Sequence, residues 1–352
     1  MFYRIACQVV AIAALLGAPL VCFAEEPISR IALGSCATQE RPQPIWDQIV
    51  DYRPQLFLFL GDNIYGDTQD MEIMKAKYAK LAAMPGYQKL LATCPVLATW
   101  DDHDYGVNDG GAEYPKRAES QQVFNDFFNV PADSPRRQRP GIYDAQVFGP
   151  EGKRVQVILL DTRYFRDPLV RWPAGERPRG QGPYVPNEDP AATMLGEAQW
   201  KWLEQQLQQP AELRIVASSI QFVADGHHWE SWQNFPHQRR RMLELIAKTK
   251  AGGVLFVSGD RHHGEISKLA AEQSPSGYPI YDLTSSSLNR PGGGNERERN
   301  DHRLTEVYSA INFGTITIDW TPDDPTIQLA LHGGEGRLVQ RVRFTLGDLR
   351  RP

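Results

Sequence analysis

The amino-acid sequence predicts an α/β fold whose strands are mostly buried on both faces. Short apolar runs such as Leu56-Phe57-Leu58-Phe59-Leu60 recur along the chain, each followed by a cluster rich in Asp, Asn or His. Amphipathic stretches with helical spacing lie between them. Continuous apolar runs of this length suit strands covered on both sides, and α/β sheets place their ligands at the carboxyl ends of such strands. Of the 352 residues, 41% are hydrophobic and 23% charged, which supplies a large core and excludes disorder as the main state.

The first segment stands apart. Residues 1–24 carry Arg4, an apolar stretch from Val9 to Val21 and a small residue, Ala24, before Glu25-Glu26. That pattern predicts a secretory signal peptide rather than a membrane anchor, because the apolar core is short and acids follow it. Pro19-Leu20-Val21-Cys22 has the outline of a lipoprotein signal, with a bulky valine where a small residue belongs, so lipidation of Cys22 stays open. Residues 25–352 are expected to form a single catalytic domain, with no stable membrane span after signal cleavage.

Within that domain, strands are expected at Ile31-Ala32-Leu33, Leu56 to Leu60, Val96-Leu97-Ala98, Val155 to Leu160, Ile215-Val216-Ala217 and Val254 to Val257. Helices are expected over residues 70–83, with Met71, Met74, Tyr78 and Leu81 on one face, over 196–208, with Trp200, Leu203 and Leu207, and over 235–250. After Pro279 the pattern changes to a Gly-rich loop over 289–300 and three alternating strands over 311–320, 326–332 and 338–346, read as closing a second sheet. The Pro- and Gly-rich stretch 166–190 is long enough to serve as a lid.

Charge selects no polymeric partner. The net charge is −5, and Arg136-Arg137-Arg139, Arg239-Arg240-Arg241, Arg297 and Arg299 are interleaved with acids, so no specific nucleic-acid binding is expected. Two cysteines remain after the signal, Cys36 and Cys94. Cys36 ends one strand-like run and Cys94 opens another; if those strands are parallel neighbours, the thiols lie at opposite ends and no disulfide forms.

The chemistry sits in the polar clusters. Gly61-Asp62-Asn63 places a carboxylate at a strand end, and Asp101-Asp102-His103-Asp104 repeats the device. Carboxylates converging in one site must protonate or bind cations. Gly34-Ser35-Cys36, Gly61-Asp62-Asn63-Ile64-Tyr65, Asp101-Asp102-His103-Asp104 and Gly259-Asp260-Arg261-His262 occur in the order of the calcineurin-like metallophosphatase motifs. Together with Leu160-Asp161-Thr162-Arg163, Met194 to Trp200, Ser218 to Gln221 and Asn234-Phe235-Pro236, they resemble the PhoD-type alkaline phosphatase and phosphodiesterase family. The likeness covers nearly all of residues 25–352. It departs in lacking the amino-terminal β-domain that family members often carry, and in showing only Arg4 where some members have a twin-arginine signal. Export by the general secretory route, to the periplasm or the medium, is therefore expected.

The resemblance implies a four-layered α/β/β/α sandwich of two packed mixed sheets and a ferric ion paired with calcium, other divalent ions being alternatives. By position, Cys36, Asp62, Tyr65 and His262 would hold the ferric ion, with Asp62 bridging to a calcium held by Asp102 and Asp260; ligands are open to exchange between the two. Outside this context Cys36 reads as a small core residue and Tyr65 as a buried aromatic. The implied reaction is attack of a metal-bound hydroxide on a phosphomonoester or phosphodiester, either a small molecule or a phospholipid. His103 is the candidate general acid, the alternative being a histidine that orients Asp102 or Asp104. Arg163 is a candidate phosphate clamp, the alternative being a salt bridge with Asp161. Asn63 and Gln221 are candidate substrate contacts, and His227, His228 and His263 read as surface or supporting residues. The rival function is a non-catalytic phosphate- or metal-binding protein on the same fold.

Overall fold

The computed structural model describes residues 26–293 and 295–351. The signal-peptide reading of residues 1–24 lies outside them. The strands in chain order are β1 (Arg30–Gly34), β2 (Leu56–Leu60), β3 (Val96–Thr99), β4 (Asp144–Phe148), β5 (Val155–Leu159), β6 (Val170–Arg171) and β7 (Tyr184–Val185). They continue as β8 (Leu213–Ala217), β9 (Val254–Ser258), β10 (Gly264–Leu269), β11 (Ile280–Ser285), β12 (Asn312–Asp319), β13 (Thr326–Gly333) and β14 (Leu338–Thr345).

Two six-stranded mixed sheets result, ordered β14-β13-β12-β1-β2-β3 and β10-β11-β9-β8-β5-β4. In the first, β1, β2 and β3 run parallel and β12 joins β1 antiparallel, Ile31 opposite Ile316. The carboxy-terminal strands therefore extend the first sheet, not the second as their sequence position suggested. The reason lies in the faces: Leu33, Ile316, Ile318 and Leu329 all point into the core shared by the two sheets. The second sheet is built from the parallel set β5, β8, β9 and β11, edged by antiparallel β4 and β10.

Strand β2 shows how the layers form. Its side chains alternate between faces; Leu56, Leu58 and Leu60 enter the core between the sheets, and Phe57 and Phe59 the second core on the outer face. There they meet Trp46 of α1 (Ile45–Asp51) and Tyr87 of α3 (Pro85–Thr93), with ring centroids 5.5 to 6.3 Å apart. Between these helices comes α2 (Met71–Ala82), capped by the Asp70 carboxylate accepting from the amides of Glu72 and Ile73. It buries Met74, Tyr78 and Leu81. The far side of the second sheet is covered by Gly196–Leu207 and Pro236–Thr249, the expected second and third helices. Their Trp200, Leu203, Leu207, Met242 and Ile246 are buried in the same continuous hydrophobic cluster as the strands.

Cys36 and Cys94 are free and buried, at opposite ends of the parallel strands. No helix among the described residues is long and apolar enough to cross a membrane.

Candidate metal centre

The carboxyl ends of β1, β2, β3 and β9 deliver Cys36, Asp62, the Asp101–Asp104 run, and Asp260 with His262 to one place. Two glycines allow the approach. A Cβ on Gly61 would stand 2.4 Å from Cβ of Asp101, and one on Gly259 would stand 2.5 Å from Oγ of Ser35. The backbones of Cys36, Asp62, Asp260 and His262 all take the left-handed conformation, with φ of 61°, 50°, 68° and 55°. Such a conformation costs a non-glycine residue roughly 1–3 kcal/mol. Four instances in the four strongest ligand candidates mark turns built for aiming side chains.

Cys36 Sγ donates to Asp62 Oδ2 at 3.3 Å, and the Tyr65 hydroxyl donates to the same oxygen at 3.0 Å and lies 3.1 Å from Nε2 of His262. Ser286 Oγ ties this group together, 3.2 Å from Cys36 Sγ and accepting from the His262 amide at 2.7 Å. Ligand atoms of Cys36, Asp62 and His262 lie within 4.8 Å of one another; so do those of Asp62, Asp102 and His103, and those of Asp101, Asp102 and Asp260. Asp62 belongs to two such groups and Asp102 to three, the third with Asp109 and Glu230, as bridging or shared carboxylates would.

The electrostatics favour cations here. Buried oxygens of Asp62 (Oδ1), Asp101 (Oδ2) and Asp102 (Oδ1) have no hydrogen-bond partner among the described residues, a costly state for a carboxylate unless something positive meets it. Burial, then the neighbouring Cys36, holds Asp62 well above the ordinary carboxylate range; burial and Asp101 do the same to Asp260. Burial likewise pushes the Cys36 thiol up to about 11. Bound cations reverse all three effects, because they stabilise the deprotonated forms. Sulfur, phenol and imidazole beside a carboxylate form one mixed donor set, and Asp101, Asp102 and Asp260 form an all-oxygen set.

The other candidates divide. His103 faces the cleft, its Nδ1 held 2.6 Å from Oδ1 of Asp67. Asp104, which sequence reasoning left without a role, is buried beneath, accepting from the amides of Asp62 (3.2 Å), Asn63 (3.4 Å) and Asp101 (2.6 Å) and from Asn63 Nδ2 (2.6 Å). It joins the ends of β2 and β3. Asn63 is thus engaged with Asp104 and with the Thr99 carbonyl, 2.9 Å away. Arg163 is completely buried, its guanidinium paired with Asp101 and, at 2.7 Å, with Glu230. Asp161, the alternative partner, instead accepts from the Arg163 amide at 2.9 Å. The side-chain amide of Gln221 donates to Glu265 and Thr284, at 2.7 and 2.9 Å, away from the cleft. His227 and His263 are buried rather than on the surface, and His228 packs against Trp172 with centroids 5.0 Å apart.

A cleft of about 310 Å³ opens over the cluster, lined by Asp62, Asp102, His103, Asp260 and His262 and also by Asn108, Asp109, Trp229, Glu230, Arg261, Gly292, Gly293 and Glu298. A larger cavity of about 650 Å³, between Arg214 and Arg351, contains none of the candidate residues. Strands β6 and β7 pair within the expected lid, residues 166–190. The lid is bonded to the cleft wall: the amides of Gly182 and Tyr184 donate to the carbonyls of His227 and His228, and the Tyr184 hydroxyl donates to Asp109. Asp67, Asp109, Trp229 and Glu230 carry no motif; only contacts made across the fold reveal them.

Comparison with known proteins finds relatives in sequence and fold. The sequence model of the PhoD-like phosphatase family matches residues 31–329. Alkaline phosphatase D of Bacillus subtilis (strain 168) is 20% identical over 291 residues, 76% of this chain; the chain spans only 49% of that relative's length. Among solved structures, one of PhoD superposes with a TM-score of 0.69 at 18% identity, covering 94% of this chain and 75% of the other. A dimetal phosphatase from Danio rerio gives 0.51 at 15% identity over 91% and 100% of the two chains. GAP50, described as the anchor in the inner membrane complex of Plasmodium, gives 0.57 at 13% identity over 91% and 89%. At such identities these likenesses speak to the fold alone.

Proposed function

The chain belongs to the PhoD-like phosphatase family, and on that premise we propose that it is an exported, metal-dependent phosphoester hydrolase. The observation that carries the reading is the meeting of Cys36, Asp62, Tyr65 and His262 with Asp102 and Asp260 around buried carboxylate oxygens that lack partners. Fold likeness alone is no basis for catalysis, since neighbours of this fold include both a phosphatase and an anchor protein.

Cys36, Asp62, Tyr65 and His262 would hold ferric iron, and Asp62, Asp102 and Asp260 calcium or another divalent ion; such ions supply Lewis acidity toward phosphoryl oxygens and acidify water. The chain supplies the rest. His103, oriented by Asp67, donates a proton to the leaving oxygen. Asp104 holds the Asp62 and Asp101 turns in register, and Arg163 fixes Asp101. Trp229 walls the cleft, and the stretch 166–190 braces that wall through His227, His228 and Asp109. A mouth bearing Arg261 and Trp229 fits the phosphoryl group of a small mono- or diester or of a phospholipid headgroup.

The pair of Asp67 and His103 favours catalysis over simple phosphate or metal binding, which needs no oriented proton donor. The test is turnover of p-nitrophenyl phosphate and bis(p-nitrophenyl) phosphate by purified protein, before and after chelation and metal restoration. Hydrolysis that is lost with chelator and recovered with metal is expected. Absence of turnover with iron, calcium, zinc and manganese would overturn the reading in favour of a binding protein.

A further inference from the structure

Four arginines lie at or beside residues of the cluster and the cleft, and three of them are paired with acids. Arg163 bridges Asp101 and Glu230, Arg166 reaches Glu230 at 3.2 Å, and Arg261 holds Glu298 at 2.6 Å. Arg290 differs. Among the described residues it has no ion-pair partner; its guanidinium carbon stands 3.9 Å from the centre of the Tyr65 ring.

The backbone carrying Arg290 is fixed on both sides. Before it, the amides of Leu288 and Asn289 donate to the carbonyls of Ser35 and Cys36, at 3.0 and 3.3 Å. The Asn289 side chain grips Thr38, accepting from its amide at 2.7 Å and donating to its carbonyl at 2.9 Å. After it, the Gly292 amide donates to the His262 carbonyl at 2.8 Å. Arg290 is therefore strung between the turns that present Cys36 and His262. The ring beneath it belongs to the same cluster, since the Tyr65 hydroxyl touches both Asp62 and His262.

Stacking uses only the face of a guanidinium. The five N–H donors lie in its plane, so an arginine held flat on an aromatic ring keeps them for a ligand, in the fork that matches two oxygens of a phosphate. A half-buried cation without a carboxylate partner among the described residues, at the edge of a candidate metal cluster, is suited to an anionic ligand.

We propose that Arg290, held over the Tyr65 ring at the edge of the metal cluster, is the substrate-binding cation, taking non-bridging phosphoryl oxygens through guanidinium donors that no acid among the described residues engages. This deepens the phosphoester reading and rests on it. It assigns to Arg290 the contact that the sequence suggested for Arg163, whose guanidinium is engaged by Asp101 and Glu230.

The experiment compares wild type, Arg290→Gln and Arg290→Lys in three measurements: kinetics with p-nitrophenyl phosphate, calorimetric affinity for inorganic phosphate, and metal content per chain. Arg290→Gln is expected to raise KM and weaken phosphate binding by about 10- to 100-fold, the range for one charge-assisted contact, with metal content unchanged. Arg290→Lys should fall between, keeping the charge and losing the fork. Unchanged KM and phosphate affinity in Arg290→Gln would overturn the proposal. So would a loss of metal and kcat with phosphate affinity intact, which would make Arg290 a support for Tyr65. If wild type turns over no phosphoester, the phosphoester reading fails by itself. The calorimetry still decides on Arg290 in that case: equal phosphate affinities count against it, and a weaker variant supports it as an anion contact.

Discussion

Oδ1 of Asp67 stands 2.6 Å from Nδ1 of His103, and the imidazole lies against the Tyr65 ring with centroids 4.3 Å apart. One nitrogen is thereby fixed by a carboxylate, as in sites where a histidine must keep one orientation. Burial acts to lower the His103 pKa, but the carboxylates of Asp62, Asp102 and Asp67 outweigh it and push it up to about 10. Cations held by Asp62 and Asp102 would offset those two charges, whereas Asp67 keeps its contact with the ring and favours the imidazolium, the form that donates a proton. Asp67→Asn removes one of the raising charges, so the pKa falls and the alkaline limb of the kcat profile should move to lower pH. A drop in kcat on the order of 10-fold is expected for phenyl phosphate, and a smaller one for p-nitrophenyl phosphate, whose leaving group needs less protonation. Equal effects on both substrates with an unmoved profile would remove His103 as the acid.

Tyr65 touches both Asp62 and His262 through its hydroxyl. If it ligates ferric iron, the purified protein should absorb in the visible through phenolate-to-metal charge transfer, and Tyr65→Phe should bleach that band. Asp62 stands in two of the candidate groups, so Asp62→Asn should lower the content of both metals by elemental analysis. An unchanged spectrum would take Tyr65 out of the centre, and full metal content in Asp62→Asn would rule out a bridge.

Why some of this was legible in the sequence and some was not follows from the kind of information each residue carries. Strands β1, β2, β5, β8 and β9 are largely apolar because both faces are covered, and the Asp, Cys and His residues after β1, β2 and β9 announce the ligands. Strand β11 is hidden because it buries polar groups: Asp282 accepts from the amides of Phe222 and Val223, and Thr284 meets Ser258 and Gln221. Strand β4, at a sheet edge and half-exposed, has too little apolar pattern to stand out. Asp67, Asp104 and Glu230 acquire their roles through partners 36 to 67 residues away. Arg163 was visible as a cation behind a strand, but its partners were not, and they decide its role.

Those partners make a specific prediction for Arg163. Its guanidinium joins Asp101 and Glu230 in full burial, and burial holds Glu230 at about 8 even with Arg163 and Arg166 pulling it down. Arg163→Met leaves two buried acids undercompensated and should destabilise the fold by about 3–5 kcal/mol. At a temperature where the variant stays folded, KM should be unchanged while kcat falls through misplacement of Asp101. Urea unfolding and steady-state kinetics check both parts. A large rise in KM with wild-type stability would restore Arg163 as a direct phosphate contact.

Behind the cleft, Glu265 on β10 offers a test remote from the reacting groups. Its carboxylate accepts from Gln221 Nε2 at 2.7 Å, Asn300 Nδ2 at 2.9 Å and Arg303 Nε, with His263 Nε2 at 3.7 Å. Burial would raise its pKa, but the hydrogen bond and charge of His263, with those of Arg303, win and hold it below the ordinary range. A depressed folded-state pKa gives stability that is present above the unfolded value of about 4.3 and is lost as pH falls through the folded value. Glu265→Gln should therefore cost about 3 kcal/mol at neutral pH. The gap to wild type should narrow once pH drops below about 4, where the Glu265 carboxylate of the unfolded wild-type chain begins to protonate while the folded one stays ionised. Urea unfolding of both proteins across that range measures the gap at each pH, so metal release common to both cancels. A gap that stays constant into acid would mean that Glu265 acts through packing and not through its charge.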